Sequence, residues 1–360
     1  MKFYSPRMHI ISLSDVSNGA ENVMLKLAIA VKGNLIFLKK NEDFGLNIPT
    51  SVKRKYLTNH SILLGMLRLI PFLWHINANE VVVSTHPYLN AYLGFLKRIG
   101  LLRSQLIVRE CTSIFTRFTG FKKQAYLQIY KLGYPAVDLV ICQTDSMKEQ
   151  LLLHNTFIDP KRVHVQPNPI DCGHLLTLAK HENFLLSPVE RFVCTAGRLI
   201  PEKGFDILIR AFQLIHPIYP DLKLYIFGEG KEKQALTQLI ADCNLQEVVF
   251  LKGYIANPTP YFQRAELCVV SSIKEGFPNV LLEMMTLNAR VVSTLCAGGI
   301  DSIPNILTVE VGQAEALANA IHNSLSQPIL TQENIHLDYL QQRNPTNFAQ
   351  SILQALVQQG

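Results

Sequence analysis

Glu275-Gly-Phe-Pro-Asn-Val-Leu-Leu-Glu283 sets two carboxylates around a Gly-x-Pro turn. The residues before it, Ala265-Glu-Leu-Cys-Val-Val-Ser-Ser272, form the β-branched apolar run of a buried strand. The residues after it, Val280 to Leu287, are good helix formers, and Pro278 falls where a first helical turn tolerates proline. The chain therefore passes from strand through tight loop to helix, with Glu275 on the loop and Glu283 roughly two turns along. Such a helix start directs backbone N–H groups at an anion, while the carboxylates can accept from hydroxyls. An anion flanked by hydroxyls is the chemistry of a nucleotide sugar.

Outward from this stretch, short apolar runs alternate with amphipathic segments. Strands are expected at Met8–Leu13, Asn34–Leu38, Glu80–Thr85, Gln105–Val108, Asp138–Cys142 and Arg162–Gln166 in the first half. In the second half they are expected at Phe192–Ala196, Lys223–Phe227, Val248–Leu251, Leu267–Ser271 and Arg290–Ser293. Strands separated by crossover helices make a parallel α/β sheet. Two such series joined near Asp171–Glu190 imply two doubly wound, Rossmann-like domains facing a central cleft, over residues 1–170 and 171–345. A last helix, 346–360, would pack back on the first domain. In open α/β sheets ligands bind beyond the carboxyl ends of the strands. The loops Ser14–Glu21, Gly197–Gly204, Gly228–Gly230 and Ser272–Asn279 all follow strands in this reading.

At 360 residues the chain exceeds one ordinary core and suits two domains. Seven scattered cysteines with no C-x-x-C pair argue for a reducing compartment, against a disulfide framework and against a zinc site. The N-terminus lacks the apolar core of a signal peptide, so a cytoplasmic location is expected. Charge is uneven: residues 1–150 carry 19 Lys and Arg against 9 Asp and Glu, residues 151–360 carry 15 against 19. A basic half implies a polyanionic partner. Nucleic acid is disfavoured because no binding module or interleaved stacking platform is present. An anionic membrane surface fits better. No apolar run is long enough to span a bilayer. Ser61–Ile76, broken by Arg68 and Pro71 and preceded by Lys53-Arg-Lys55, reads as a helix lying on the membrane. Phe115–Lys131, with cations among aromatics, is a second such segment, or else a solvated basic face with its aromatics turned inward.

Thr195-Ala-Gly-Arg-Leu-Ile-Pro-Glu-Lys-Gly204 is the second informative stretch. Arg198 offers a planar fork and Lys203 a compact point charge, a pair suited to a diphosphate, with glycines allowing close backbone approach. Together, Gly-Arg-Leu-x-x-x-Lys-Gly and the later Glu-Gly-Phe-Pro-x-x-x-x-Glu resemble the donor-binding half of GT-B glycosyltransferases of family 4. The resemblance extends to Gln166-Pro-Asn-Pro-Ile-Asp171, to Phe227-Gly-Glu-Gly230 and to Asn18-Gly-Ala-Glu21, where the family usually has Gly-Gly-Ala-Glu.

The resemblance implies that Arg198 and Lys203 neutralise a departing diphosphate and that Glu283 accepts from ribose hydroxyls. It implies that Glu275 holds a hydroxyl of the transferred sugar, and that the backbone of Gly276, Phe277, Pro278 and Asn279 lines the diphosphate and sugar. Gly19 would let the first loop approach the phosphates. Glu275, Arg198 and Lys203 are thus the catalytic candidates. His86, Arg109 and Glu110, which close strands, are candidates for acceptor or sugar contacts, set against a structural reading for each. The chain contains no Asp-x-Asp, so no metal and no other cofactor is expected; the nucleotide sugar is the substrate. The activity implied is transfer from a nucleoside-diphosphate sugar, most often UDP-linked, to a lipid-linked or glycan acceptor in surface polysaccharide or lipopolysaccharide synthesis, with retention. Alternatives are a nucleotide-sugar epimerase of the same architecture and a non-catalytic assembly factor that binds nucleotide sugar or lipid.

Overall fold

The computed structural model describes residues 6–41, 45–112, 114–180, 190–328 and 335–359. The chain divides into Met1–Pro169 with Arg343–Gly360, the first unit, and Ile170–Gln342, the second. Part of the expected junction, 181–189, lies outside the described residues.

The first unit is built on β1 (Met8–Ser14), β2 (Asn34–Lys39), β3 (Arg54–Thr58), β4 (Val81–Thr85), β5 (Gln105–Arg109), β6 (Leu139–Cys142) and β7 (Val163–Val165). All pair in parallel, in the order β3-β2-β1-β4-β5-β6-β7. β4, Val-Val-Val-Ser-Thr, is buried along its whole length, as a parallel strand covered by helices on both faces must be. The chain winds outward from β1 to β3, returns to β4 and winds outward again. Its switch point therefore lies at the carboxyl ends of β1 and β4.

The second unit repeats the scheme with β8 (Phe192–Ala196), β9 (Lys223–Phe227), β10 (Val249–Gly253), β11 (Leu267–Val270), β12 (Val291–Thr294) and β13 (Leu307–Val309). Their order is β10-β9-β8-β11-β12-β13, again all parallel, with the switch point between β8 and β11.

Every strand expected from the apolar runs is present, and the two doubly wound parallel sheets are as read from the sequence. Two strands went unread, β3 and β13, and both lie at sheet edges. β3, Arg-Lys-Tyr-Leu-Thr, has an exposed charged start, and β13 has only three residues, mostly exposed. Edge strands bury one side at most, so the apolar signal is weak there.

The helix Pro345–Val357 belongs to the first unit. Its Phe348, Ala349, Ile352 and Leu356 share a core with Val23, Met24 and Leu27 of the helix Gly19–Val31. The helix Ile62–Leu73 starts at Ser61, whose hydroxyl accepts from Leu64 N–H at 3.2 Å. It buries Gly65, Leu69 and Leu73, and a Cβ at Gly65 would meet Leu38 O at 2.5 Å. Leu63, Leu67 and Trp74 are left exposed. In the other basic segment, which folds as Ile114–Arg117 and Gly120–Gly133, the aromatics mostly turn inward. Tyr130 is fully buried and Phe118 stacks on Tyr126 at 5.5 Å, while Phe121 stands exposed. Among the described residues no helix is long and apolar enough to cross a membrane.

Candidate functional site

In the second unit, the loops after β8 and β11 meet at the switch point. Lys203 closes a short 3-10 turn, Pro201–Lys203, and Gly204 follows in the left-handed region at φ 59°. A Cβ at Gly204 would lie 2.3 Å from Ser271 O, so only glycine lets this turn close onto the end of β11. The contact is fastened by Ser271 Oγ, which donates to Lys203 O at 2.9 Å, and by Ile273 N–H donating to Glu202 O at 2.8 Å. Gly228, at φ 144°, does the same for the neighbouring loop, where a Cβ would overlap Gly197 O.

This packing brings Lys203 Nζ to 2.5 Å from Glu275 Oε1, although the two are 72 positions apart in the chain. Ser272 Oγ donates to the same oxygen at 2.9 Å, and Glu275 N–H donates to Cys296 O at 2.9 Å. Oε2 carries no hydrogen bond to the described residues. The Lys203 and Glu275 side chains are 17% and 19% exposed. The pair is thus held from below and reachable from above. One ammonium proton meets Glu275, which leaves two for an anion. Cys296 beneath the pair is no nucleophile, since burial and then the Glu275 charge push its thiol up to about 12.

Arg198 lies on the same loop and is exposed. Gly276 is half-buried, while Phe277 and Pro278 are buried, Phe277 in the core with Leu281 and Leu282. Phe277 therefore offers a ligand its backbone and not its ring. Pro278 stands at the N-cap of the helix Asn279–Leu287 and supplies no capping side chain. The first N–H groups of that helix are the positive end of its dipole. Glu283, half-buried, is the fifth residue of this helix.

In the first unit, the loop after β1 is tied down by Asp15. Its carboxylate accepts from Asn41 N–H at 2.7 Å and from Tyr56 OH at 2.8 Å, and its carbonyl accepts from Leu46 N–H at 2.7 Å. The sequence offered no sign of this clamp, because Tyr56 is on the unread β3. Gly19, exposed, begins the next helix. Two residues on, Glu21 is 3% exposed, and its Oε1 lies 2.6 Å from His86 Nε2 and 3.3 Å from Ser12 Oγ. His86 follows β4, so this pair marks the first unit's switch point. The His86 backbone has φ 150° and ψ 126°, a region L-residues rarely adopt, at a cost of order 1–3 kcal/mol.

Arg109 and Glu110 lie deeper. Glu110 accepts from Tyr130 OH at 2.9 Å, from Tyr134 OH and from Asn90 Nδ2 at 3.4 Å. Burial pushes its carboxyl upward against the opposing pull of those donors. Both tyrosines are buried, so Glu110 serves a core network and not a ligand. Arg109 is 2% exposed and donates through Nη2 to Asn168 Oδ1, while burial pulls its guanidinium down to about 10. Asn168 Nδ2 in turn donates to Gln143 Oε1 at 3.1 Å. The network binds the last residues before the junction to the ends of β5 and β6.

The structure thus brings together Lys203 with Glu275 in one unit and His86 with Glu21 in the other. It places Arg198, Gly276 to Asn279 and Glu283 on the loops and helix around the first pair, and turns Glu110 away. Glu21 stands in the Asn18-Gly-Ala-Glu21 motif, and its contact with His86, 65 positions away, is made only by the fold. Among the described residues no group of three or more His, Cys, Asp or Glu side chains could hold a metal ion.

Residues 190–327 match the family described as Glycosyl transferases group 1. The chain is 32% identical over 292 residues to the N-acetylgalactosamine-N,N'-diacetylbacillosaminyl-diphospho-undecaprenol 4-alpha-N-acetylgalactosaminyltransferase of Campylobacter jejuni, covering 77% of this chain and 78% of that one. It is 28% identical over 189 residues to the lipopolysaccharide core biosynthesis glycosyltransferase LpsE of Rhizobium meliloti, about half of each chain (51% and 53%). Among solved structures, HepE of Anabaena in complex with UDP-glucose superposes with a TM-score of 0.79 at 17% identity, covering 98% of this chain and 99% of that one. That likeness carries the fold, GT-B, whose two parallel-sheet units are those described above. The motifs around Lys203 and Glu275 lie within the matched span, and the relationship to the Campylobacter enzyme extends over most of both chains; the chain belongs to the glycosyl transferases group 1 family and is a glycosyltransferase.

Proposed function

We propose that the chain moves a sugar from a nucleoside-diphosphate sugar, a UDP-sugar first among carriers, to a lipid-linked or glycan acceptor of a surface polysaccharide or lipopolysaccharide. The Lys203–Glu275 pair at the second unit's switch point is the observation that carries this reading. Cleavage of the glycosyl–phosphate bond builds positive charge on the sugar and negative charge on the leaving diphosphate. Lys203, Arg198 and the uncapped start of the Asn279–Leu287 helix supply positive potential for that diphosphate. Glu275 Oε2 accepts a hydroxyl of the transferred sugar, and Glu283 the ribose hydroxyls. Since these groups already neutralise the leaving group, the transfer needs no metal. Retention of configuration accords with the family resemblance. The Campylobacter relative's name specifies a diphospho-undecaprenol acceptor, and the HepE structures hold UDP or UDP-glucose, which supports this donor and acceptor class.

A thermal-shift panel of UDP-, GDP- and ADP-sugars tests the donor half. A ligand at 100 times its Kd adds about 2.7 kcal/mol to a folded state that alone binds it. One carrier class should raise the melting temperature by several degrees; no response to any of the three removes the reading.

The acceptor half includes a lipid surface. Leu63, Leu67 and Trp74 recur at helical spacing on one exposed stripe, beside exposed Lys53, Arg54 and Lys55. The first unit therefore docks peripherally on anionic lipid on the cytoplasmic side. In co-sedimentation, binding to anionic vesicles should exceed binding to neutral ones and weaken in Leu63→Ser/Leu67→Ser/Trp74→Ser. Equal binding to both kinds of vesicle would exclude this part.

A further inference from the structure

We propose that Ser272 is the positioning residue of Glu275: its hydroxyl holds Oε1 against the end of β11, so that Oε2 is the oxygen turned to the substrate. That Oε2 meets a hydroxyl of the transferred sugar rests on the transferase reading above; the anchoring of Oε1 does not.

The two serines that follow β11 face opposite ways, as successive residues of an extended chain do. Ser271 Oγ donates to Lys203 O at 2.9 Å, and Ser272 Oγ donates to Glu275 Oε1 at 2.9 Å. One therefore fixes the backbone of the lysine, the other the carboxylate that the lysine meets. Ser272 is 2% exposed, and its carbonyl accepts at 2.5 Å from Oγ1 of Thr294, the last residue of the neighbouring strand β12. The hydroxyl thus projects through a single rotatable bond from a backbone that β12 already holds.

The ion pair alone is a poorer anchor. Lys203 also contacts Oε1, but through a long flexible stem whose ammonium is to meet an anion as well. The Glu275 carboxylate is reached through three torsions, and the bond from Glu275 N–H to Cys296 O at 2.9 Å fixes only its backbone. With Lys203 and Ser272 both on Oε1, Oε2 has no hydrogen bond to the described residues, and it is not among the buried atoms left without a partner, so it is open to solvent. A hydroxyl at the end of a buried strand can turn to a nearby backbone carbonyl, as those of Ser271 and Thr294 do. Of these three, Ser272 alone gives its proton to a partly exposed carboxylate.

The fold does not depend on this bond. In Ser272→Ala the Glu275 oxygen keeps Lys203, so no buried polar atom loses its last partner. Loss of function without loss of folding is the expected pattern.

The test compares two ligands on the full chain by calorimetric titration. One is the UDP-, GDP- or ADP-sugar that the thermal-shift panel selects; the other is the free nucleoside diphosphate of that carrier, which lacks the transferred sugar. In Ser272→Ala the Kd of the nucleotide sugar should rise about tenfold, as for loss of one hydrogen bond at a charged group, and that of the nucleoside diphosphate should stay within about twofold. Ser272→Thr keeps the hydroxyl and should restore the nucleotide-sugar affinity. In Glu275→Ala there is no carboxylate to aim, so adding Ser272→Ala should weaken binding no further. Equal losses for the two ligands, no loss for either, or an additive loss in the Glu275→Ala background overturns the proposal. A Ser272→Ala chain that does not fold overturns it too, because the serine would then be structural. A substrate-free crystal structure of Ser272→Ala should show Glu275 Oε1 withdrawn from the place it holds in the wild type; an unmoved carboxylate overturns the anchoring. If no nucleotide sugar binds the wild type, the transferase reading falls, and that crystal structure still decides the role of Ser272.

Discussion

Each unit places a carboxylate against a nitrogen base at its switch point, at almost the same distance, yet the two pairs differ in kind. In the second unit Lys203 and Glu275 meet at 2.5 Å with both side chains partly exposed. In the first, Glu21 is almost fully buried and its partner is the imidazole His86, at 2.6 Å. An ammonium brings three donors and an imidazole two ring nitrogens, so the two pairs differ in hydrogen-bond chemistry. One topology therefore sets an ammonium against a carboxylate in one unit and an imidazole against a carboxylate in the other. In the reading proposed above, the first faces a diphosphate that becomes more negative as the bond breaks. The pairs also differ in burial: the Glu275 side chain is partly exposed, whereas Glu21 is almost fully buried.

The comparison breaks most sharply at Lys203. Lys203→Ala removes the fixed charge, and loss of one preorganised group of this type lowers turnover by roughly 10²–10³-fold. Steady-state release of nucleoside diphosphate would measure it, and an unchanged kcat would mean the pair is structural. Lys203→His makes the second unit resemble the first. Its imidazole is cationic only below a pKa near ~6.5, moved upward by the adjacent Glu275 carboxylate. Activity should therefore survive at low pH and vanish as pH rises through that midpoint. A pH profile parallel to that of the wild type would show that charge at this position is not what matters.

The smallest effect concerns two histidines buried in the cores. Burial holds the rings of His9 in the first unit and His336 in the second below the ordinary histidine value, with Glu80 partly opposing this at His9. A base whose folded pKa is depressed binds fewer protons folded than unfolded. Its contribution to stability is complete above the unfolded value near ~6.5 and is lost as pH falls through it toward the folded value. The melting temperature should decline from pH 7 to pH 5, and should decline less in His336→Gln if that variant folds. A melting temperature that is flat or rising over this range would contradict the burial argument.

Much of the fold was legible because parallel strands buried on both faces are continuous apolar runs, as at Val81-Val-Val83 and Leu267-Cys-Val-Val270. β3 was not legible, since Arg54 and Lys55 mask a strand that is only half covered. Of the site, Lys203 and Glu275 could be read from their motifs, but the bond between them could not. Glu110 was open between a contact and a structural reading for a related reason: a charged residue at a strand end fits either until the tyrosines around it, Tyr130 and Tyr134, are placed.

By itself the sequence determined the strands buried on both faces, where glycine lets a loop fold tightly, and which residue types stand at the strand ends. These follow from periodicity, caps and φ preferences, all local to a few residues. Only the tertiary structure decided that β8 lies beside β11 and β1 beside β4. That order of strands makes partners of Lys203 and Glu275, and of Glu21 and His86. Strand order is settled by the burial of whole faces at once, and no short window of sequence contains it.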